Sequence, residues 1–186
     1  MAYHHGDARA ALLTAAAALL EQEGAAGLSL RQVAEKAGLS RQAPYNHFAN
    51  KEAMLAELAA DGFRILSACI SDAGAQSAPI DRLTFAADAY IGFGTERPAV
   101  FRLMFTRDLV NLSRHPAVQA EADAAMAQLS AIVGEVVPVS KVADATLAAW
   151  SLVHGYTSLC IETGIGGPAL RAERAALFAR AIAGLA

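Results

Sequence analysis

The sequence predicts an all-α fold of about nine helices, arranged as a small N-terminal domain followed by a larger helical one. Apolar residues recur at helical spacing along most of the 186 residues, whereas the alternation typical of half-buried strands is nearly absent. Proline and glycine fall mostly at the joints between these periodic segments. The length suffices for one small bundle and one larger core.

The first two predicted helices cover residues 7–23 and 29–37. The first ends at Gly24, and its inner face consists of Leu12, Leu13, Ala16, Leu19 and Leu20. The second begins with Ser29, which forms a capping box with Gln32 three positions later. Its apolar face consists of Leu30, Val33, Ala34 and Ala37.

A turn and a further short helix follow at once. Gly38 supplies the left-handed backbone that ends the second helix, and Ser40 offers a hydroxyl to the free N–H groups of the next one. Two helices joined in this way form a helix-turn-helix. Ala43 and Phe48 are available to hold the third helix to the body, and five polar side chains project outward: Arg41, Gln42, Tyr45, Asn46 and His47.

These outward side chains are of the types that bond DNA. Arginine pairs with guanine, glutamine and asparagine pair with adenine, and tyrosine and histidine reach phosphate oxygens. Residues 25–51 hold Arg31, Lys36, Arg41 and Lys51 against Glu35 alone, although the whole chain has a net charge of −3. A local basic patch suits specific binding, whereas nonspecific coating of nucleic acid usually needs a broadly basic surface. An ordinary helix pair with a solvated polar face remains the alternative interpretation.

The rest of the chain is predicted as six more helices. Asn50 is an N-cap for a long helix over residues 51–73, and a loop follows at residues 74–79. The remaining helices cover residues 80–96, 98–106, 117–137, 140–163 and 169–185.

One motif resembles the N-terminal domain of the tetracycline-repressor (TetR/AcrR) family of bacterial transcription regulators. It consists of Gly38, Ser40, Tyr45, Phe48, Lys51, Glu52 and Leu55. The resemblance implies that residues 1–50 form a DNA-binding domain whose third helix enters the major groove. The helix over residues 51–73 then leads into an effector-binding and dimerisation domain that spans residues 51–186.

The resemblance also implies a role for each DNA-facing residue. Arg41 and Gln42 match positions that touch base edges, and Tyr45, His47 and Lys51 match positions that touch phosphates. Further backbone or base contacts are expected from Ser29, Arg31, Ser40 and Asn46. The chain departs from the family's usual Gly-Thr-aliphatic sequence before the tyrosine, because it has Gln42, Ala43 and Pro44 there. Base preference therefore does not carry over.

The penultimate helix resembles a Trp-His-Gly type of TetR-like C-terminal domain through Trp150, His154 and Gly155. In that family the last two helices of each subunit form a four-helix bundle with those of the partner. The resemblance thus implies a homodimer that reads a palindrome. The predicted interface consists of Trp150, Gly155, Leu159, Leu177, Phe178 and Ala181.

A small, mostly apolar effector is expected to bind the C-terminal domain. Its candidate pocket consists of Tyr90, Phe93, Phe101, Met104, Phe105, Met126, Trp150 and His154. The alternative is that these residues are ordinary core, since aromatic and methionine side chains at helical spacing usually are. Within the family, repression of transcription with release by an effector is the more common outcome.

An enzyme and a protein-interaction adaptor are the two other classes considered. The GIGG at residues 164–167 follows no strand and precedes no Gly-Lys-Ser/Thr, so it is interpreted as a helix stop and not as a phosphate loop. His4 and His5 alone are weak evidence for a metal site. We expect no catalytic residues, no cofactor and no metal. An adaptor would use the Trp150 helix to bind protein.

Location is predicted from two further patterns. Cys69 and Cys160 are far apart without CxxC spacing, so neither a disulfide framework nor structural zinc is expected. The first residues, MAYHHGDAR, are too polar for a cleavable signal, and residues 145–161 are too short and polar to span a membrane easily. We therefore expect a cytoplasmic protein, with residues 145–161 buried on two sides.

Overall fold

The computed structural model describes residues 5–72, 77–110 and 114–185, and for residues 5–7 only the backbone. Within these ranges the chain forms eight α-helices and no strand, so the predicted all-α class is confirmed. None of these helices combines the length and the apolarity needed to cross a bilayer. The helices are α1 (His5–Gly27), α2 (Leu30–Lys36), α3 (Lys51–Asp72), α4 (Pro79–Glu96), α5 (Pro98–Phe105), α6 (Pro116–Val133), α7 (Val142–Thr163) and α8 (Pro168–Ala183).

The third predicted helix, which would make nine in total, is a 3-10 segment instead. Where the sequence predicts a helix beginning at Ser40, the chain forms the 3-10 turns of Ala43–Asn46. Gln42 is the residue at its N-terminal cap and makes no side-chain capping bond, so the prediction of a Ser40 cap is wrong. Pro44 explains the difference, because it has no N–H to donate back to Ser40. The N–H of Tyr45 bonds the carbonyl of Gln42, three residues back, at 3.1 Å.

Three other predicted caps of the N-terminal region are confirmed, whereas α1 continues to Gly27 beyond its predicted end at Gly24, where the backbone is not helical. The Ser29 hydroxyl accepts the backbone N–H of Gln32 at 3.3 Å, at the start of α2. Gly38 has φ of +68°, which favours glycine, just after α2 ends. The Asn50 carboxamide oxygen accepts the backbone N–H of Ala53 at 2.8 Å, at the start of α3.

The boundary between α6 and α7 differs from the prediction. Helix α6 ends at Val133 instead of residue 137, because the N–H groups of Glu135 and Val136 bond carbonyls three residues back instead of four. The predicted start of the next helix at residue 140 is a 3-10 turn, Val139–Lys141, and α7 begins at Val142. The predicted loop at residues 74–79 lies partly outside the described residues.

The chain forms two compact units. Unit 1 contains the described residues of Met1–Gly62 and Arg97–Ala120, and unit 2 those of Phe63–Glu96 and Glu121–Ala186. Helices α3 and α6 each contribute residues to both units. The functional boundary near residue 50 stays a prediction.

Unit 1 is built around α1, which packs against α2 and α5. Its core contains the fully buried side chains of Leu12, Leu20 and Val33. The Glu21 carboxylate accepts the backbone N–H groups of Ala99 and Val100, each at 3.0 Å, at the first turn of α5. These N–H groups have no partner within their own helix, so the carboxylate fixes α5 against α1.

In unit 2, α4 packs against α7 and α8, and α7 packs against α8. One face of α7 is buried, through Ala145, Thr146, Ala149, Val153 and Thr157. The opposite face contains exposed leucines, so the prediction that this helix is buried on two sides is wrong within the single chain.

Candidate nucleic-acid interface

Two buried side chains seat the 3-10 segment on the helix-turn-helix. Pro44 is buried, and Phe48, four positions later, is only 2% exposed. The segment contacts both α1 and α2. The sequence predicts the anchoring role of Phe48, whereas that of Pro44 emerges only from the structure. A buried proline with a fixed φ restricts the backbone on which the neighbouring polar residues stand.

Most of the predicted DNA-facing residues are exposed. The Tyr45 side chain is 55% exposed, and Asn46 beside it is exposed as well. The other exposed members of the predicted set are Arg31, Ser40, Arg41 and Gln42. Arg41 and Gln42 directly precede the 3-10 segment, so a single stretch of chain presents adjacent polar side chains.

Three predicted contact residues are half-buried. His47, which the sequence predicts to project outward, has its ring centroid 6.4 Å from that of Phe48. The Ser29 hydroxyl caps α2 and also donates to the side-chain oxygen of Gln32. The Lys51 ammonium donates to the carbonyl of Ala26 at 3.3 Å. An ammonium has three N–H donors, so this bond still leaves donors for a phosphate.

The local charges favour binding of an anion such as a phosphate. Arg31, Arg41 and Lys51 form no ion pair with any carboxylate in the part of the chain that the structure describes. Glu52, which follows Lys51, lies 3.3 Å from the imidazole of His115. Sequence reasoning missed this pair, because 63 positions separate its members and no local pattern joins them.

Three of the predicted effector residues form a polar cluster in unit 2. The Tyr90 hydroxyl lies 2.9 Å from Nδ1 of His154 and also hydrogen-bonds the Trp150 side chain. Since an indole N–H can only donate, Tyr90 accepts from Trp150 and donates its own proton to His154. This assigns the imidazole as the tautomer protonated on Nε2. Burial raises the pKa of Tyr90 and lowers the pKa of His154, so both side chains are held neutral.

The other predicted effector residues are divided between the units. Phe93 is buried and Met126 is half-buried in unit 2. In unit 1, the rings of Phe101 and Phe105 lie 5.0 Å apart, and Met104 packs where a Cβ on Gly62 would lie 2.6 Å from its sulfur. The predicted set is therefore not one cluster inside a single unit.

The predicted dimer residues share a partly exposed surface of α7 and α8. Leu159 is 52% exposed and Leu177 is 43% exposed, and Gly155 and Ala181 are exposed too. Trp150 and Phe178 are half-buried. Nothing lies within 4 Å of the position that a Cβ on Gly155 would take. Because glycine has no side chain, another helix has room to approach α7 closely at Gly155.

Of the features considered for an enzyme, only the GIGG stretch lies within the described residues. His4 and the His5 side chain lie outside the described residues. The GIGG stretch ends α7 with Gly164 at φ of +71° and precedes Pro168, the first residue of α8, so its interpretation as a helix stop is confirmed.

Comparisons with protein-family models match both parts of the chain. Residues 12–58 match the model described as "Bacterial regulatory proteins, tetR family". Residues 83–185, more than half of the chain, match the model described as "Tetracyclin repressor-like, C-terminal domain". No curated protein matches the sequence.

Solved structures share the fold over nearly the whole length. A protein of unknown function from a Rhodococcus species is 29% identical, with a TM-score of 0.79 over 96% of this chain and 97% of that one. A TetR family transcriptional regulator, PfmR, from Thermus thermophilus is 24% identical, with a TM-score of 0.70 over 92% and 96% of the two chains. A bacterial regulatory protein in the tetR family, also from Rhodococcus, is 18% identical, with a TM-score of 0.73 over 94% and 96%. With the two family matches, these similarities lead to one conclusion: the chain belongs to the TetR family of DNA-binding transcriptional regulators.

Proposed function

We propose that this regulator is a cytoplasmic repressor that binds a palindromic operator as a homodimer and leaves it when a small, mostly apolar effector binds. The observation that carries the DNA-binding part is the exposed polar stretch at residues 40–46, which stands on the buried anchors Pro44 and Phe48. A reading surface must be polar outside and fixed inside, because loosely held side chains lose entropy on binding.

Within this surface the residues divide into two roles. Arg41 and Gln42 read base edges, since arginine can pair with guanine and glutamine with adenine through two bonds each. Phosphate contacts come from Ser29, Arg31, Tyr45, His47 and Lys51, and Ser40 and Asn46 add further backbone or base contacts. Lys51 is favoured for a phosphate because it is the first residue of α3, where the helix dipole adds to its charge.

The exposed surface of α7 and α8 supports a homodimer. The apolar side chains of Leu147, Leu159 and Leu177 are between 43% and 59% exposed on a chain whose other large apolar residues are mostly buried. Pairing of two copies through Trp150, Gly155, Leu159, Leu177, Phe178 and Ala181 would cover this surface. Two reading segments about 34 to 36 Å apart would then match successive major grooves.

The Trp150, Tyr90 and His154 cluster is the proposed polar contact of the effector. The effector would shift the population toward a state in which α3 is tilted and the two reading segments no longer match the groove spacing. Effector and operator affinities must then be coupled reciprocally.

Two measurements test this proposal. Analytical ultracentrifugation with a duplex selected by the protein from a random pool should give two subunits per duplex, and a stoichiometry of one would contradict the homodimer. Calorimetry on an effector found by screening should give weaker binding in the presence of the operator. Equal effector affinity with and without the operator would exclude release by this route.

A further inference from the structure

A cleft lies in unit 2, where α7 turns into α8. Its volume is about 320 Å³, at the lower end of the range for small-molecule sites. The walls come from α4, the end of α7, the GIGG turn and the start of α8. Tyr156 and His154 are two positions apart on one helix, about 200° around its axis, so the cleft is distinct from the Tyr90 and His154 cluster.

Glycines build two walls of this cleft. Gly166 has φ of +125°, which side-chain-bearing residues rarely adopt, and the position of its absent Cβ lies 3.4 Å from the Cys160 sulfur and 3.7 Å from the Tyr156 hydroxyl. On α4, a Cβ on Gly92 would lie 2.7 Å from Nη1 of Arg171. The absence of that Cβ leaves room for the guanidinium to lie against α4.

The cleft contains a hydroxyl without a satisfactory partner. The Tyr156 oxygen is buried and makes no hydrogen bond of standard geometry with any residue in the described ranges. The thiol of Cys160 and the guanidinium of Arg174 lie near it, and burial is the main cause that raises its pKa. A buried hydroxyl that lacks a partner destabilises the protein, so a ligand oxygen that accepted its proton would be favoured.

Arg171 provides the second polar contact. Its Nε donates to Asp88 at 3.0 Å, whereas its Nη1 reaches Glu96 only at 3.5 Å. The Glu96 side chain is 72% exposed, so this longer bond is readily exchanged for another acceptor. Two of the five N–H donors of the guanidinium are used in these bonds, and the rest are available to a ligand.

We propose that this cleft binds a small amphipathic organic carboxylate. The carboxylate lies between the Arg171 guanidinium and the Tyr156 hydroxyl and replaces Glu96 on Nη1. Its apolar part packs against Ile91, Ile165 and Pro168, which line the same cleft. A carboxylate is favoured over an amide because its hydrogen bonds to the guanidinium are charge-assisted. The site requires neither DNA binding nor dimerisation.

The test uses the full chain with phenylacetate as the probe, and with phenylacetamide and phenethylamine as neutral and cationic controls of the same shape. Titration by NMR should show phenylacetate binding, with shifts of the amide signals of Gly164, Gly166 and Gly167 and much weaker effects of both controls. No phenylacetate binding at millimolar concentration, or tighter binding of phenethylamine, would overturn the proposal.

Matched variants locate the site. Tyr156→Phe removes a hydroxyl that makes no hydrogen bond of standard geometry, so it should fold about as well as the parent chain and bind phenylacetate about tenfold more weakly. Glu96→Gln removes the competing carboxylate and should tighten binding. Arg180→Gln changes an exposed arginine of α8 that does not line the cleft, and it should leave phenylacetate binding unchanged. If Arg180→Gln weakened binding and Tyr156→Phe did not, the assignment to this cleft would be wrong.

Discussion

Lys51→Ala should weaken operator binding in a way that depends on salt and not on base sequence. Each phosphate contact by a cation on B-DNA contributes about 0.9 to the slope of log affinity against log salt concentration. Two subunits that each lose one contact should lower the slope by about 1.8. Over a fourfold increase in salt, the variant's affinity should therefore fall about twelvefold less than that of the parent chain.

The structure also gives the expected effect of this substitution on folding. The only bond from the Lys51 ammonium to a described residue joins it to the Ala26 carbonyl, at 3.3 Å on a partly exposed surface. Its loss should cost about 1 kcal/mol or less of the free energy of unfolding. Thermal unfolding should therefore be nearly unchanged, which separates a lost phosphate contact from a lost fold.

The assay is fluorescence anisotropy of a labelled duplex at several salt concentrations. Lys36→Ala is the matched control, because Lys36 is an exposed cation of the same helix-turn-helix whose ammonium bonds Gln22 at 3.4 Å and which is not among the proposed contacts. Its slope should equal that of the parent chain. If both variants lowered the slope equally, the special role of Lys51 would be refuted.

Three other predictions concern base reading, assembly and pH. Arg41→Ala should reduce discrimination at one base pair of each half-site by about 1 to 3 kcal/mol, measured by affinities for singly substituted duplexes; equal losses on all duplexes would mean a phosphate contact. Leu177→Glu should convert the dimer into monomers in sedimentation velocity and weaken operator binding, whereas an unchanged dimer would place the interface elsewhere. Because the folded-state pKa of His154 lies below its ordinary value of about 6.5, the unfolded chain takes up more protons as the pH falls through that value, and stability should decrease on acidification. His154→Gln should reduce this decrease in unfolding experiments between about pH 7.5 and 5.5, and an identical decrease in the variant would assign it to another group.

The features that the sequence predicted correctly are local ones. Ser29 and Asn50 cap α2 and α3, and Gly38 and Gly164 stop helices, because each of these effects depends on residues within one helical turn. The conformation of the 3-10 segment Ala43–Asn46 was harder to predict. Pro44 is compatible both with the opening turn of an α-helix and with a 3-10 segment, so the residue type alone does not predict which of the two forms.

The remaining differences come from contacts between residues far apart in the chain. The Glu21 carboxylate meets the start of α5 78 positions later, and this contact lies inside the unit that joins residues 97–120 to the N-terminal region. Tyr90 and His154 both belong to the predicted pocket, but their hydrogen bond spans 64 positions. No periodic pattern encodes such pairs, because periodicity indicates which face is buried and not what it is buried against.

Selection of bound duplexes from a random DNA library at physiological salt, carried out in parallel with the parent chain and Arg41→Ala, tests the central claim most directly. The account predicts an enriched palindrome with half-sites about one helical turn apart, and loss of preference at the base pair read by Arg41 in the variant. No enrichment with the parent chain, or the same palindrome with unchanged preference in the variant, would contradict the assignment of this surface as the one that reads DNA.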